Sequence, residues 1–138
     1  MRVGRNYRIP VVAGLIYQDG KLLICQRKAG MRHGLKWEFP GGKVEQGESP
    51  REALARELRE ELGIEARIGR EVSRYEFIYP RGATLLLIFL EVKEFQGEIA
   101  PIVFETVKWE DRKNLPKYDF LDGDMDIVKR LSNGELWC

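Results

Sequence analysis

The sequence predicts an α+β domain, because strand-like and helix-like segments follow one another in an irregular order. Residues 9–17 and 21–26 are apolar runs separated by an Asp-Gly turn, which is the pattern of a β-hairpin. Residues 83–92 are apolar at almost every position, as in a central strand buried on both faces. A capped helix lies between these strands, and residues 124–131 predict a final helix.

The remaining segments complete this α+β order. Residues 66–68 and 72–79 predict further short strands, and residues 103–110 predict another strand or a turn. Residues 94–99 predict a polar loop around a glycine. Asn114-Leu115-Pro116 is expected to break the chain before the final helix.

Composition excludes several classes of protein. The chain has 138 residues, and we expect one domain that spans residues 1–138. Its net charge of +1 gives little support to a nucleic-acid or membrane partner. Two cysteines, Cys25 and Cys138, form no disulfide framework, which suits the cytoplasm. The longest apolar run, residues 85–90, is too short to span a bilayer, and the sequence leaves monomer and homodimer open.

The central helix has clear start and stop signals. Ser49 can cap it, Pro50 suits the first helical position, and Glu52 completes a capping box. Gly63 supplies a left-handed stop. Leucines every four residues mark a buried stripe, namely Leu54, Leu58 and Leu62.

Another face of this helix carries three carboxylates, Glu57, Glu60 and Glu61, at positions i, i+3 and i+4. One interpretation is a solvated acidic face. The other is a site for a divalent cation such as Mg²⁺, which takes oxygen ligands. The residues before the helix favour the metal, because residues 39–43 form a glycine-rich loop that a ligand can approach closely. Glu48, just before the cap, can reach the same cluster.

The stretch from Gly42 to Ile64 resembles the Nudix box, G-x5-E-x7-R-E-U-x-E-E-x-G-U, where U is apolar. Every specified position is filled, which makes the pattern far more specific than a lone glycine motif. The resemblance sharpens the α+β prediction to the Nudix fold, a mixed sheet sandwiched between helices. It also implies hydrolysis of a nucleoside diphosphate linked to another group, with Mg²⁺ or Mn²⁺.

The resemblance assigns roles residue by residue. It implies that Glu57, Glu60 and Glu61 are metal ligands, together with the carbonyl oxygen of Gly41. Glu57 is also the candidate base that activates water, Arg56 would orient the carboxylates, and Glu48 would support the metal or its water.

One position departs from the relatives that the chain resembles. MutT-like members often carry a further glutamate six residues before a late tryptophan, and Val103 stands at that place before Trp109. Glu105 and Glu98 are near enough to substitute, but neither is assigned this role.

Several residues are candidates for substrate binding. Arg27 ends a strand where MutT-like members carry a phosphate-binding arginine, although it could simply be solvated. Lys43 could also meet a phosphate. Trp37 and Phe39 precede the glycines and could stack on a base or pack in the core. The single histidine, His33, lies in the loop of residues 28–36 and is assigned no chemistry.

Asp124 stands at the loop-to-helix junction where MutT-like relatives read the base, with Asp122 as second choice. The alternative is an ordinary helix cap. If Asp124 reads the base as an ionised carboxylate, it should select an amino-bearing edge and reject thymine and uracil.

The resemblance to MutT-like proteins implies that the substrate is a nucleoside triphosphate, cleaved to the monophosphate and pyrophosphate. Oxidised guanine nucleotides such as 8-oxo-dGTP, and cytidine triphosphates, are the candidates. Other nucleoside diphosphate derivatives, the 5′ ends of RNA, and a non-catalytic nucleotide sensor remain alternatives.

Overall fold

The structure is a computed structural model that describes residues 7–136. Cys138 and both ends of the domain expected over residues 1–138 therefore lie outside the described residues. Within this range the strands and α-helices are β1 (Arg8–Gln18), β2 (Lys21–Arg27), β3 (Trp37–Glu38), β4 (Gly41–Lys43), α1 (Pro50–Leu62), β5 (Glu65–Ile78), β6 (Thr84–Gln96), β7 (Phe104–Glu110) and α2 (Met125–Ser132).

The strands form one mixed sheet. Its order is β3-β2-β1-β6-β5, with β7 beside β2 and β4 beside β1. Strand β1 is parallel to β6 and antiparallel to β2 and β4. The parallel pair lies in the middle of the sheet and is buried on both faces, as the apolar runs of β1 and β6 predict.

Each face of the sheet packs against one helix. Alternate residues of a strand point to opposite faces, so Val12 and Ile16 of β1 pack with α1, while Leu15 packs with α2. The buried leucines of α1 complete one core, and the apolar residues of α2 complete the other. The predicted sandwich of a mixed sheet between helices is therefore confirmed.

Local signals fix α1 as the sequence predicts. The Glu52 backbone N–H donates to Ser49 Oγ at 3.1 Å, and the Ser49 backbone N–H donates to Glu52 Oε1 at 2.8 Å. Gly63 ends the helix at φ 71°, and its N–H donates to the carbonyl of Arg59. These caps place the carboxylates of α1 at defined positions along the helix.

The second half of the sheet differs from the prediction. Residues 66–68 and 72–79 belong to one strand, β5, whose register against β6 shifts at Ile68 and Glu71. These irregularities interrupt the alternation of side chains, so the sequence pattern looks like two strands. The expected polar loop of residues 94–99 begins only after Gln96, because its first residues pair with the start of β5.

Smaller differences occur near the predicted site. Part of the glycine-rich loop forms β4, which pairs with β1. The expected break at Asn114-Leu115-Pro116 is a turn of 3-10 helix over Arg112–Lys117. A second short 3-10 turn, Asp122–Asp124, leads into α2, which begins at Met125. Within residues 7–136, no helix combines the length and apolar character needed to cross a bilayer.

Candidate active site

Strand β4, which contains Gly41 and Gly42, and helix α1 meet at close range. The Gly41 backbone N–H donates to Glu61 Oε1 at 3.1 Å. A Cβ on Gly42 would lie 2.6 Å from the carboxyl carbon of Glu57, and one on Gly41 would lie 1.9 Å from the Val12 carbonyl oxygen. Only glycine fits at Gly41, where the obstacle is backbone, whereas a side chain at Gly42 would displace the Glu57 carboxylate. The two glycines therefore let the backbone approach the carboxylates of α1.

Arg56 organises the acidic groups around it. It donates two hydrogen bonds to the Glu48 carboxylate, at 2.6 and 2.9 Å, and one to Glu57 Oε1 at 2.8 Å. A longer contact of 3.5 Å reaches Glu60, whose side chain is 58% exposed, and a further bond reaches the Lys43 carbonyl at 3.1 Å. Hydrogen bonds from Arg56 lower the pKa of Glu48 to about 2. The guanidinium therefore fixes Glu48 and Glu57 and holds Glu60 more loosely.

Glu61 lies deeper than the other carboxylates of this face. Burial, followed by the nearby charges of Glu57 and Glu38, raises the pKa of Glu61 to about 9. It also shares a hydrogen bond with Glu57. Two carboxyl groups in contact cannot both ionise easily unless a cation lies between them or beside them.

These groups fit a divalent cation. Among residues 7–136, no three histidine, cysteine or carboxylate side chains form a ready-made metal cage. Mg²⁺ does not require one, because it is usually held by one or two carboxylates and completes its shell with water and substrate phosphates. The Glu57–Glu61 pair supplies those carboxylates, and Glu60 lies one turn away on the exposed rim.

Asp124 lies in a small cavity, the inner pocket, of about 190 Å³. Its lining includes Phe39, Leu87, Phe89 and Gly123, together with Arg27, Glu38, Gly41 and Gly42. Asp124 is 8% exposed and its side chain makes no hydrogen bond to the start of α2, so the helix-cap alternative is wrong. Its carboxyl group instead accepts a hydrogen bond from the Phe39 backbone N–H.

The protonation of Asp124 differs from the expectation. Burial, with a smaller contribution from the charge of Glu38, raises the pKa of Asp124 to about 8. At neutral pH the carboxyl group is therefore mostly protonated and can donate as well as accept. Asp122, the second choice, is exposed and lies 3.8 Å from Lys36 in an ion pair outside the inner pocket.

Arg27 and Glu38 form an ion pair beside the inner pocket. Arg27 Nη1 donates to Glu38 Oε2 at 3.0 Å, and burial raises the pKa of Glu38. Glu38 has no role predicted from the sequence. One feature of the sequence could have identified it. Glu38 is a charged residue between Trp37 and Phe39, and strand alternation points its side chain away from those two aromatic side chains.

The two aromatic candidates differ in position. Phe39 is 2% exposed, lines the inner pocket and packs with Phe89 and Phe120. Trp37 packs edge-on against Tyr118, with ring centroids 5.0 Å apart. Within the described chain Trp37 lines neither cavity of the cleft, so the structure favours core packing over stacking on a base.

A second space, the outer cavity, opens from the inner pocket and has a volume of about 670 Å³. The two spaces share Arg27, Gly42 and Tyr79 in their lining, so they lie side by side, and together they are called the cleft. Lys43 lines the outer cavity, as do two residues of the loop of residues 28–36, Arg32 and His33.

The segment between β6 and β7 covers the end of α1. The Ile102 N–H donates to the Glu61 carbonyl at 3.2 Å, and the Ala100 N–H donates to the Leu62 carbonyl at 3.0 Å. Val103 follows directly, is 40% exposed, and offers no side-chain oxygen to a metal. Glu98 lines a separate depression with Phe95 and Trp109.

A mixed sheet between helices, with the glutamates of α1 beside Gly41 and Gly42, is the arrangement that the Nudix resemblance implied. The family model of the NUDIX domain matches residues 7–131. The chain therefore belongs to the NUDIX domain family.

Similar proteins cover nearly the whole chain. It is 38% identical over 121 residues to the CTP pyrophosphohydrolase of Escherichia coli (strain K12), covering 88% of this chain and 89% of that protein. It is 35% identical over 126 residues to the 8-oxo-dGTP diphosphatase of Haemophilus influenzae, covering 91% and 92%. The solution structure of the E. coli ORF135 protein matches with a TM-score of 0.83 and 36% identity, covering 94% and 91%.

Proposed function

We propose that the protein hydrolyses nucleoside triphosphates to the monophosphate and pyrophosphate, using Mg²⁺ or Mn²⁺. One observation carries this proposal: the Glu57–Glu61 carboxyl pair lies against Gly41 and Gly42 of β4, and those glycines also line the inner pocket that contains Asp124. A nucleotide base in the inner pocket would thus place its phosphates beside the carboxylates of α1.

The residues of α1 and those next to it have separate proposed roles in the reaction. Glu57, Glu60, Glu61 and the carbonyl oxygen of Gly41 are the proposed metal ligands. The cation would neutralise phosphate charge and lower the pKa of the attacking water. Glu57, held by Arg56 at 2.8 Å, accepts the proton of that water. Glu48 keeps Arg56 in place through its paired hydrogen bonds.

Hydrolysis takes place at the β-phosphorus. The water oxygen forms a bond to this phosphorus, and the bond from the β-phosphorus to the α–β bridging oxygen breaks. The nucleoside monophosphate leaves with the bridging oxygen and its electron pair, and the water oxygen stays in pyrophosphate. Arg27 and Lys43, which line the cleft, bind phosphate oxygens.

Asp124 contacts the edge of the base, and Phe39 forms part of the pocket wall. A protonated carboxyl group donates one hydrogen bond and accepts another, which complements the ring nitrogen and amino group of cytosine. The rejection of thymine and uracil, which requires an ionised carboxylate, then applies only above about pH 8, where Asp124 ionises. CTP and 8-oxo-dGTP are the first substrates to test, because similar proteins bear those names.

A panel of nucleoside triphosphates in Mg²⁺, with pyrophosphate and orthophosphate measured separately, tests the proposal. We expect equal amounts of monophosphate and pyrophosphate. In ¹⁸O-labelled water the label should enter pyrophosphate. Label in the monophosphate would contradict attack at the β-phosphorus, and no turnover of any triphosphate would contradict the proposed activity.

We also propose that the enzyme works in the cytoplasm, as one domain and as a monomer or homodimer. The cytoplasmic location is supported by Cys25, which within the described residues is a free, buried thiol, as is typical of proteins in a reducing compartment.

A further inference from the structure

Asp124 stands at the position that normally caps the N-terminus of α2, but its side chain does not cap this helix. An aspartate at such a position usually accepts a hydrogen bond from the N–H of the second or third helical residue. Here the carboxyl group lines the inner pocket and accepts from the Phe39 backbone N–H instead. The first N–H groups of a helix have no partner within the helix, so α2 requires another acceptor at this end.

The hydroxyl group of Tyr75, on strand β5, supplies that acceptor. Ile127 is the third residue of α2, and its backbone N–H donates to Tyr75 Oη at 3.3 Å. The same hydroxyl donates at 2.7 Å to the carbonyl oxygen of Gly123, which belongs to the peptide that leads into Asp124. A phenolic hydroxyl can donate one hydrogen bond while it accepts another, so Tyr75 satisfies both backbone groups at once.

Packing holds Tyr75 and Gly123 in place behind the inner pocket. The Tyr75 ring stacks on Phe89, with centroids 5.6 Å apart and planes 27° from parallel. A Cβ on Gly123 would lie 3.3 Å from Leu87 Cδ1 and 3.4 Å from Phe77 Cδ2, so this glycine lies directly against the sheet. Within the described chain Tyr75 lines neither the inner pocket nor the outer cavity, whereas Gly123, Leu87 and Phe89 line the inner pocket. Tyr75 therefore contacts the wall of the pocket and not its interior.

We propose that Tyr75 is a positioning residue for base recognition: it caps α2 in place of Asp124 and thereby directs the Asp124 carboxyl group into the inner pocket. This inference rests on the proposed function, in which Asp124 contacts the edge of the base. Without the hydroxyl, the buried Ile127 N–H loses this acceptor, and an unpaired buried donor is costly. Asp124 then turns towards the helix end, because aspartate is a preferred capping residue, and it leaves the pocket.

The variant Tyr75→Phe tests this role, because it removes the hydroxyl and keeps the ring on Phe89. The base preference is the ratio of kcat/KM for the best triphosphate of the panel to kcat/KM for the poorest. We expect this ratio to fall by about two- to twelvefold, which corresponds to the loss of one hydrogen bond. The fall should come from a higher KM for the preferred base with kcat retained, because Tyr75 packs on the α2 face of the sheet and the proposed metal ligands of α1 lie on the other face.

Ser73→Ala is the matched control on the same strand. Ser73 Oγ accepts a hydrogen bond from Arg130 Nη1 at 3.0 Å, so this variant also removes one hydrogen bond between β5 and α2. It leaves the contacts of Gly123 and Ile127 with Tyr75 intact and should not change the base preference. Melting temperatures of both variants show how much each hydrogen bond contributes to stability.

A double-mutant cycle tests whether Tyr75 acts through Asp124. Asp124→Ala removes the carboxyl group, so adding Tyr75→Phe to that variant should change the base preference no further. An equal change with and without the Asp124 carboxyl group would overturn the inference, because Tyr75 would then act independently of Asp124.

A second measurement follows the Asp124 carboxyl group itself and needs no turnover. ¹³C NMR of the aspartate carboxyl carbons, assigned with Asp124→Asn, gives the pKa of Asp124 in each protein. In the wild type burial should hold this pKa at about 8. In Tyr75→Phe the pKa should be lower, because the carboxyl group leaves the interior for the helix N-terminus, where negative charge is favoured. Ser73→Ala should keep the wild-type value.

The outcomes separate this inference from the proposed function. If triphosphates are cleaved but Tyr75→Phe retains the base preference or the pKa of Asp124, Tyr75 has only a structural role and the inference is overturned. If Asp124→Ala leaves the base preference unchanged, Asp124 does not read the base, and the inference fails while the hydrolysis stands. If no triphosphate is cleaved, the proposed function fails, and the NMR titration still decides whether Tyr75 directs Asp124 into the pocket.

Discussion

Replacing Asp124 with asparagine tests the buried carboxyl group of the inner pocket. In the wild type the pKa of Asp124 is raised from 3.8 to about 8, first by burial and then by the charge of Glu38. The folded state therefore holds its proton over a pH range in which the unfolded state has lost it. Stability from this group is fully present below about pH 4 and is lost as the pH rises towards 8.

The size of the expected change in the free energy of unfolding follows from the width of this pH range, which extends from about pH 4 to about pH 8. Each pH unit inside it reduces the free energy of unfolding by about 1.4 kcal/mol for one such group. Between pH 5 and pH 8 the wild type should lose roughly 4 kcal/mol through Asp124, as an upper limit if water does not enter the pocket. Asparagine carries no charge, so Asp124→Asn should be increasingly more stable than the wild type as the pH rises.

Urea unfolding at pH 5, 6, 7 and 8, followed by tryptophan fluorescence, measures this difference. Glu61, whose pKa is also raised, is present in both proteins and cancels in the comparison. Tyr75 stays protonated over this pH range, because burial raises its pKa further above the ordinary value. Asp122→Asn is the control, because Asp122 is exposed two residues earlier and should show no such trend. A constant difference between Asp124→Asn and the wild type across this range would refute the reasoning.

Three further predictions concern α1 and the adjacent glycine Gly42 of β4. Glu57→Gln should lower kcat by at least about a hundredfold while the melting temperature is retained, and a near wild-type kcat would exclude Glu57 as base. EDTA should abolish turnover and added Mg²⁺ should restore it, whereas full activity in metal-free enzyme would contradict the metal site. Gly42→Ala should be nearly inactive, because its Cβ would lie 2.6 Å from the Glu57 carboxyl carbon and would displace that carboxylate. The comparison is with Gly47→Asn, since a Cβ at Gly47 meets no atom within 4 Å and asparagine tolerates the positive φ there; equal activity of the two variants would contradict the expectation.

Features set by neighbouring residues were predictable from the sequence. The capping box at Ser49 and the stop at Gly63 are local patterns, and both occur where they were expected. Once the bounds of α1 are known, helical periodicity determines which glutamates share a face. Strand β5 was not predictable in the same way, because its irregular register depends on pairing with β6.

Parts of the candidate site are formed by residues that are far apart in the sequence, and these parts could be predicted from the sequence only incompletely or not at all. The Glu38 carboxylate pairs with Arg27, which is eleven residues away in the sequence and on another strand. Asp124 was identified as a candidate, but its protonation depends on burial beneath the sheet and on Glu38. Trp37 and Phe39 are both aromatic, and only tertiary packing distinguishes them: Phe39 lines the inner pocket, whereas Trp37 packs against Tyr118.

The cleft contains several acidic side chains whose negative charges the surrounding residues do not fully neutralise. Glu61 and Asp124 both have raised pKa values, and Glu38 contributes its charge to both. Burying such groups lowers stability as they ionise, because the charged form loses its hydration. A divalent cation beside Glu57 and Glu61 and a base hydrogen-bonded to Asp124 would each offset part of this cost. The same arrangement of acidic groups that lowers stability therefore favours the ligands of the proposed reaction, and binding of Mg²⁺ and nucleotide together should stabilise the fold.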